Sequence, residues 1–268
     1  MLDFGTMEFW FIAAVVSTVF AGLHAFTQKV AVERGHEPSL IVGLSAFFSG
    51  TAAFVVGLFV DGLAVWTAAV VLFGFLNGIM HQAGTIARMH GMKYIDTAIF
   101  FPLYKVLGPL VAVAIGFVLF GELFSVLEWV GIVLSLVVPL LLISRAEHTR
   151  QTDLVKGLWY VVLSSIFVAI AAAILKQGTV VTTGVLMLAA SSNWFAGLFG
   201  IALYKYKHRN TNVVEEMKKE MHWEGMKLVL SSTVVQFVGF IALLLAFDLG
   251  GSLGIVYTIN SLYILIPI

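Results

Sequence analysis

The chain has 268 residues, of which 60% are hydrophobic and only 11% charged, with fifteen Lys and Arg balanced by fifteen Asp and Glu. A soluble domain carries about 25% charged residues, so a mean hydropathy of +1.01 excludes a water-facing enzyme. Zero formal charge gives no footing for nucleic acid, and the absence of cysteine removes disulfides, thiolate chemistry and Cys-based metal sites.

Apolar runs near the length needed to cross about 30 Å of hydrocarbon recur along the chain. In order they are Phe9–Gln28, Ser39–Val60, Ala64–Ala87, Tyr94–Phe120, Val126–Ser144, Leu154–Leu175, Val180–Tyr204, Leu228–Phe247 and Ser252–Ile268. The runs are continuous rather than alternating, which predicts helices and not barrel strands. The fold class expected is an all-α polytopic membrane protein of nine spans. Phe9–Gln28 follows Asp3 and Glu8 with no Lys or Arg before it, so it reads as a retained span and not a signal peptide. The one long connection, Lys205–Lys227, holds Glu215, Glu216, Lys218, Lys219 and Glu220, a pattern for a short solvated helix with i,i+3 and i,i+4 pairs.

Thirteen of the fifteen basic residues fall in the odd-numbered connections, against Lys176 alone in an even one and Lys105 inside a span. The excess predicts that odd connections face the cytoplasm and the N-terminus lies outside.

The halves look alike. Leu103–Leu110 reads LYKVLGPL and Ser261–Ile268 reads SLYILIPI, setting Pro109 over Pro267; Trp10, Val19, Gln28 and Gly35 fall over Trp159, Val168, Gln177 and Gly184. Five spans followed by the same series make residues 1–150 one repeat and 151–268 a second, inserted upside down because five is odd. The first copy continues for 36 residues after Pro109 whereas the second stops after Pro267, which leads to the expectation of a tenth helix beyond this chain.

The run from Gly108 to Leu142, GPLVAVAIGFVLFGELFSVLEWVGIVLSLVVPLLL, places a proline early in a helix, the pair Gly121-Glu122 near its end and Gly131 in the next. With the five-plus-five pattern this resembles the EamA-type members of the drug/metabolite transporter superfamily. The resemblance implies ten helices and carriage of a small metabolite, amino acid, sugar phosphate, nucleotide sugar or drug. Trp10-Phe11 stands where the family usually has Trp-Gly, and many members have both termini in the cytoplasm.

Ionisable groups within spans default to functional candidates. Lys105 lies about eleven residues into its span, roughly 16 Å along the axis, and no carboxylate sits at its depth. A hydrated chamber with Lys105 binding an anionic group is the functional reading; a lysine solvated there or bonded to backbone carbonyls is the bland one. In the third span Asn77, His81, Thr85 and Arg88 fall within about 80° of one another and share an inward face. His81 is the candidate for proton coupling, against the alternative of a satisfied structural histidine, and Arg88 reads as an interfacial anchor, with an anion clamp as the alternative. His24 and Gln28 stand one turn apart in the first span, with Lys29 and Lys176 as head-group anchors. Tyr257, Asn260 and Tyr263 mark the ninth span, with Tyr263 opposite Lys105 in the duplication. Asn193, Trp194 and Gln236 complete the substrate-lining candidates.

The function expected is secondary active transport of a small polar or anionic metabolite by alternating access at a midplane site between the repeats, by proton coupling or exchange. The partners implied are that metabolite and the lipid bilayer, with no nucleic acid, metal or cofactor. No Gly-Lys-Ser/Thr motif is present for ATP. The alternatives are a non-transporting membrane scaffold or sensor, and an intramembrane enzyme, which would need carboxylate pairs or a metal cluster that the spans do not offer.

Overall fold

The computed structural model describes residues 4–143 and 153–265, with side chains described for 9–137 and 153–263. Within these the regular elements are all helical: α1 Phe4–Glu33, α2 Pro38–Val60, α3 Ala68–Gly91, α4 Thr97–Phe120, α5 Val126–Ile143, α6 Leu154–Val181, α7 Val185–Lys207, α8 Val213–Glu220, α9 Trp223–Asp248 and α10 Leu253–Ser261. Seven of these, α1 to α4, α6, α7 and α9, are long and apolar enough to cross a bilayer. Helix α5 has 18 residues. The last run begins as the nine-residue α10 and passes into a 3-10 turn, Leu262–Leu265. Pro267, and Arg145 and Arg150 among the basic connection residues, lie outside the described residues.

Several boundaries differ from the hydropathy expectation for local reasons. Helix α3 starts at Ala68, where the Thr67 hydroxyl accepts from the Val70 amide at 3.4 Å, and continues through Arg88 to Gly91. Helix α6 continues past Leu175 to Val181, so the expected Val180–Tyr204 run is broken by Thr182 and Gly184 before α7. Helix α4 ends at Gly121, whose φ of 63° is the left-handed conformation that a side chain resists. The turn brings the Glu122 amide to the Gly116 carbonyl at 3.1 Å and redirects the Glu122 side chain.

Polarity is reversed relative to a soluble domain. Phe59, Val118, Leu127 and Val234 are exposed, whereas Asn77, Gln82, Arg88, Lys105, Asn193 and Gln236 are buried. This is the distribution of a membrane-embedded helical protein, with apolar side chains toward lipid and polar ones toward the bundle interior.

Small residues set which helices touch. Helix α2 packs along α7, where a Cβ on Gly43 would stand 3.0 Å from the Ile201 nitrogen and one on Gly197 2.7 Å from the Phe47 nitrogen. Helix α3 packs against both α6 and α7, with Gly78 facing the Ser192 carbonyl oxygen; α1 packs on α9, and α4 on α6 and α10. Close backbone approach through such residues is the usual source of helix association in lipid.

Charged groups gather at the two ends. At the end holding the α1–α2 turn, Arg34 pairs with Glu224 at 2.9 Å, His36 Nδ1 meets Glu220 at 3.0 Å, and Lys207 donates to Glu37 at 2.9 Å. Burial by itself would raise the Glu37 carboxyl, but the Lys207 hydrogen bond and charge outweigh it and hold Glu37 below its ordinary value. The anticipated solvated helix is α8, with Lys219 bonded to Glu216 at 3.0 Å.

At the opposite end, carboxylates reach across to helix N-termini. Asp61 accepts from the Leu186 and Met187 amides at 2.9 and 3.1 Å. Glu122 accepts from the Leu253 and Gly254 amides at 2.6 and 3.1 Å and forms an ion pair with Lys176. Lys176 is therefore not a head-group anchor: its side chain is 15% exposed and reaches a carboxylate 54 residues earlier in sequence.

Candidate functional site

Between two packed clusters lies a cavity with about 760 Å³ of empty space, counted out to its mouth. One cluster holds Phe100, Phe101, Met89 and Val229, and the other Ala112, Leu188, Leu244 and Leu253. The walls come from α1, α3, α4, α6, α9 and α10. Eight of the substrate candidates line it: His24, Asn77, His81, Lys105, Gln236, Tyr257, Asn260 and Tyr263. Gln28 and Asn193 stand immediately behind and hold lining residues in place.

Two cations meet at one end of the cavity. Lys105 is 3% exposed, and its Nζ lies 3.3 Å from the centre of the Tyr263 ring and 5.1 Å from that of Tyr104. It donates to the Asn260 backbone carbonyl at 3.4 Å, the kind of contact the alternative reading called for but a long bond for an ammonium with three donors. Arg88 is 7% exposed; its Nη1 donates to the Tyr263 hydroxyl at 3.0 Å and its Nη2 to Gln28 Oε1 at 2.7 Å. The interfacial-anchor reading of Arg88 is thus corrected. Because α3 extends to Gly91, Arg88 sits a turn inside the helix end, and side chains lean toward a helix's N-terminus, here into the cavity. Lys105, on α4 and leaning toward the start of that helix, approaches from the opposite direction.

None of the described lining residues is acidic. The positive charges are met by aromatic faces, a hydroxyl and amide oxygens, which solvate a cation without neutralising it. Tyr104 and Ser17 also belong to the site although the sequence did not single them out. Tyr104 is the neighbour of Lys105 in the repeated LYKVLGPL segment, and Ser17 Oγ accepts from Asn260 Nδ2 at 3.1 Å.

A chain of amides fixes orientations. Since Gln28 Oε1 accepts from Arg88, its Nε2 is the donor to His24 Nε2 at 3.1 Å, which gives His24 Nε2 the acceptor role. Toward the other end of the cavity, Asn77 Nδ2 donates to the Ala171 carbonyl at 2.7 Å. Asn193 Nδ2 donates to the Ala189 carbonyl at 3.0 Å, so Asn193 Oδ1 receives the Gln236 amide at 2.8 Å. His81 lies on the same wall, its ring 6.0 Å from that of Phe240. The lining candidate Trp194 lies away from this cavity, its ring tilted against Phe54 and edge-on to Trp66. Among the described residues no group of His, Cys, Asp or Glu could hold a metal ion.

No family model and no curated protein matches the sequence. A solved crystal structure of another protein superposes on 95% of this chain and 85% of its own with a TM-score of 0.72 at 14% identity. At that identity the similarity speaks for the fold alone.

Proposed function

We propose that the chain is a secondary transporter of a small polar or anionic metabolite, working by alternating access, and that it belongs with the EamA-type carriers it resembles. The observation that carries this reading is the cavity deep in an apolar bundle where Lys105 and Arg88 stand together with no acidic lining residue. A buried cation without a counterion is costly, and an anionic substrate would supply one.

Helix pairing supports the inverted repeat. If α1 to α4 correspond to α6, α7, α9 and α10, then α3 on α6 answers α1 on α9. Likewise α3 on α7 answers α2 on α9, and α4 on α6 answers α1 on α10; each of these contacts is present. The α2–α7 and α4–α10 contacts are then their own images. The site on this reading lies where the two repeats meet, as in other carriers built this way. His81, on the cavity wall, is the group for a coupled proton step.

The test is flux of labelled organic anions into proteoliposomes containing the full chain. Removing a charged hydrogen-bond donor forfeits about 1.5–3 kcal/mol, so Lys105→Gln and Arg88→Gln are each expected to lower anion flux about tenfold or more, with melting profiles retained. His81→Gln is expected to abolish acceleration by a pH gradient while leaving exchange. Unaltered anion flux in both charge variants would defeat the proposal.

A further inference from the structure

The cavity has two chemically different ends. One end presents Arg88 and Lys105. At the other, Asn77 and Gln236 are 98% and 94% buried, and the carbonyl oxygens Asn77 Oδ1 and Gln236 Oε1 have no hydrogen-bond partner among the described residues. Their orientation is not arbitrary. Each amide nitrogen is committed, that of Asn77 to the Ala171 carbonyl and that of Gln236 to Asn193, whose own nitrogen is tied to the Ala189 carbonyl. What these two residues offer is therefore a pair of acceptors. A buried carbonyl without a donor is costly, and both residues line the cavity, so a substrate N–H or O–H that reached either oxygen would relieve that cost.

Asn77 and Arg88 are eleven residues apart on α3, about 16 Å along the axis, and the backward lean of the Arg88 side chain shortens that gap. Between the two levels the walls are the imidazoles of His24 and His81 with Ala21 and Val235, while Phe20, Phe240 and Leu243 line the cavity at the depth of Asn77 and Gln236 or beyond. Resting on the transport reading above, we infer that the substrate is a two-ended monoanion. It has one carboxylate-like group held between Lys105 and Arg88, an apolar body about the size of an aromatic ring, and a neutral hydrogen-bond donor for Asn77 and Gln236. A zwitterion is disfavoured, because an ammonium beside its carboxylate would face the two cations with no acidic side chain to balance it.

Three probes of nearly equal shape separate these terms: 3-(4-hydroxyphenyl)propionate, 3-phenylpropionate, which lacks the donor, and tyrosine, which adds the ammonium. Equilibrium binding to the purified full chain and flux into proteoliposomes are measured for each. The hydroxylated acid is expected to bind about tenfold more tightly than either of the others, the scale set by one unmet buried acceptor. Asn77→Leu and Gln236→Met are expected to erase the preference for the hydroxylated acid over 3-phenylpropionate, read as the ratio of the two affinities within each variant. Equal binding of the two acids, or preference for tyrosine, would overturn the inference and leave transport standing. The expected binding order without any flux would uphold the site's chemistry and end the transport reading instead.

Discussion

Gln28 shows how one side chain can decide what a cavity accepts. Its carbonyl oxygen solvates the Arg88 guanidinium at 2.7 Å while its amide nitrogen faces His24, so the arginine is hydrogen-bonded yet keeps its charge. Exchanging that carbonyl for a carboxylate would give the guanidinium a resident counterion in the same geometry. Gln28→Glu is accordingly expected to raise the melting temperature and to lower anion affinity about tenfold, since the substrate must then displace an internal ion pair. Gln28→Leu is expected to do the reverse to stability, costing about 1–3 kcal/mol by leaving a buried donor unmet. Equal anion affinity in the glutamate variant would show that Arg88 does not meet the substrate. Sequence spacing placed Arg88 on the same face as Asn77 and His81 but misjudged its depth, because the apolar run ends at Ala87 while the helix continues to Gly91. Lys176 was misplaced for a different reason. Its partner Glu122 is remote in sequence, and no periodicity reports a contact made by folding.

Among the elements, glycine positions distinguish helices that touch from those that face lipid. On α3, Gly74 and Gly78 lie against α7, and a Cβ on Gly78 would overlap the Ser192 carbonyl oxygen, a backbone atom that cannot rotate aside. Gly131 on α5 has nothing within 4 Å of the same position. Gly78→Ala is therefore expected to destabilise the protein by about 1–3 kcal/mol, the cost of overpacking, whereas Gly131→Ala is neutral or slightly stabilising because it raises helix propensity. Thermal unfolding in detergent compares the two directly; equal melting temperatures would mean that α3 and α7 are not held at this separation. Most of these helices were legible from hydropathy because each long apolar run has to satisfy its own backbone in lipid. The breaks between them were less so. Thr182 and Gly184 interrupt an otherwise continuous apolar stretch, and their effect depends on Asp61 reaching over from another turn to cap the start of α7.

For the whole molecule, the unequal ends carry an orientation. The end formed by the α1–α2 turn and α8 collects Arg34, Lys207, Lys219 and Lys227, tied by ion pairs to Glu224, Glu37 and Glu216. The other end offers Asp61, Glu122 and Asp248, with Lys176 the basic residue paired there. Positive charge near the ends of spans resists translocation, whereas acidic residues have little influence, so the orientation to be tested has the lysine-rich end in the cytoplasm and the start of α1 outside. The sequence contains no cysteine, so single introduced thiols report without background. Ala64, between α2 and α3, and Asn210, between α7 and α8, are both exposed and lie at opposite ends of the bundle. In intact cells an impermeant maleimide is expected to label Ala64→Cys promptly and to leave Asn210→Cys unmodified until the membrane is opened. The opposite pattern would turn the molecule over and place the basic cluster outside. It would also mean that Lys205–Lys227, despite its six basic residues, crossed the membrane during insertion, and that some feature other than the charge of the connections sets the direction of this chain.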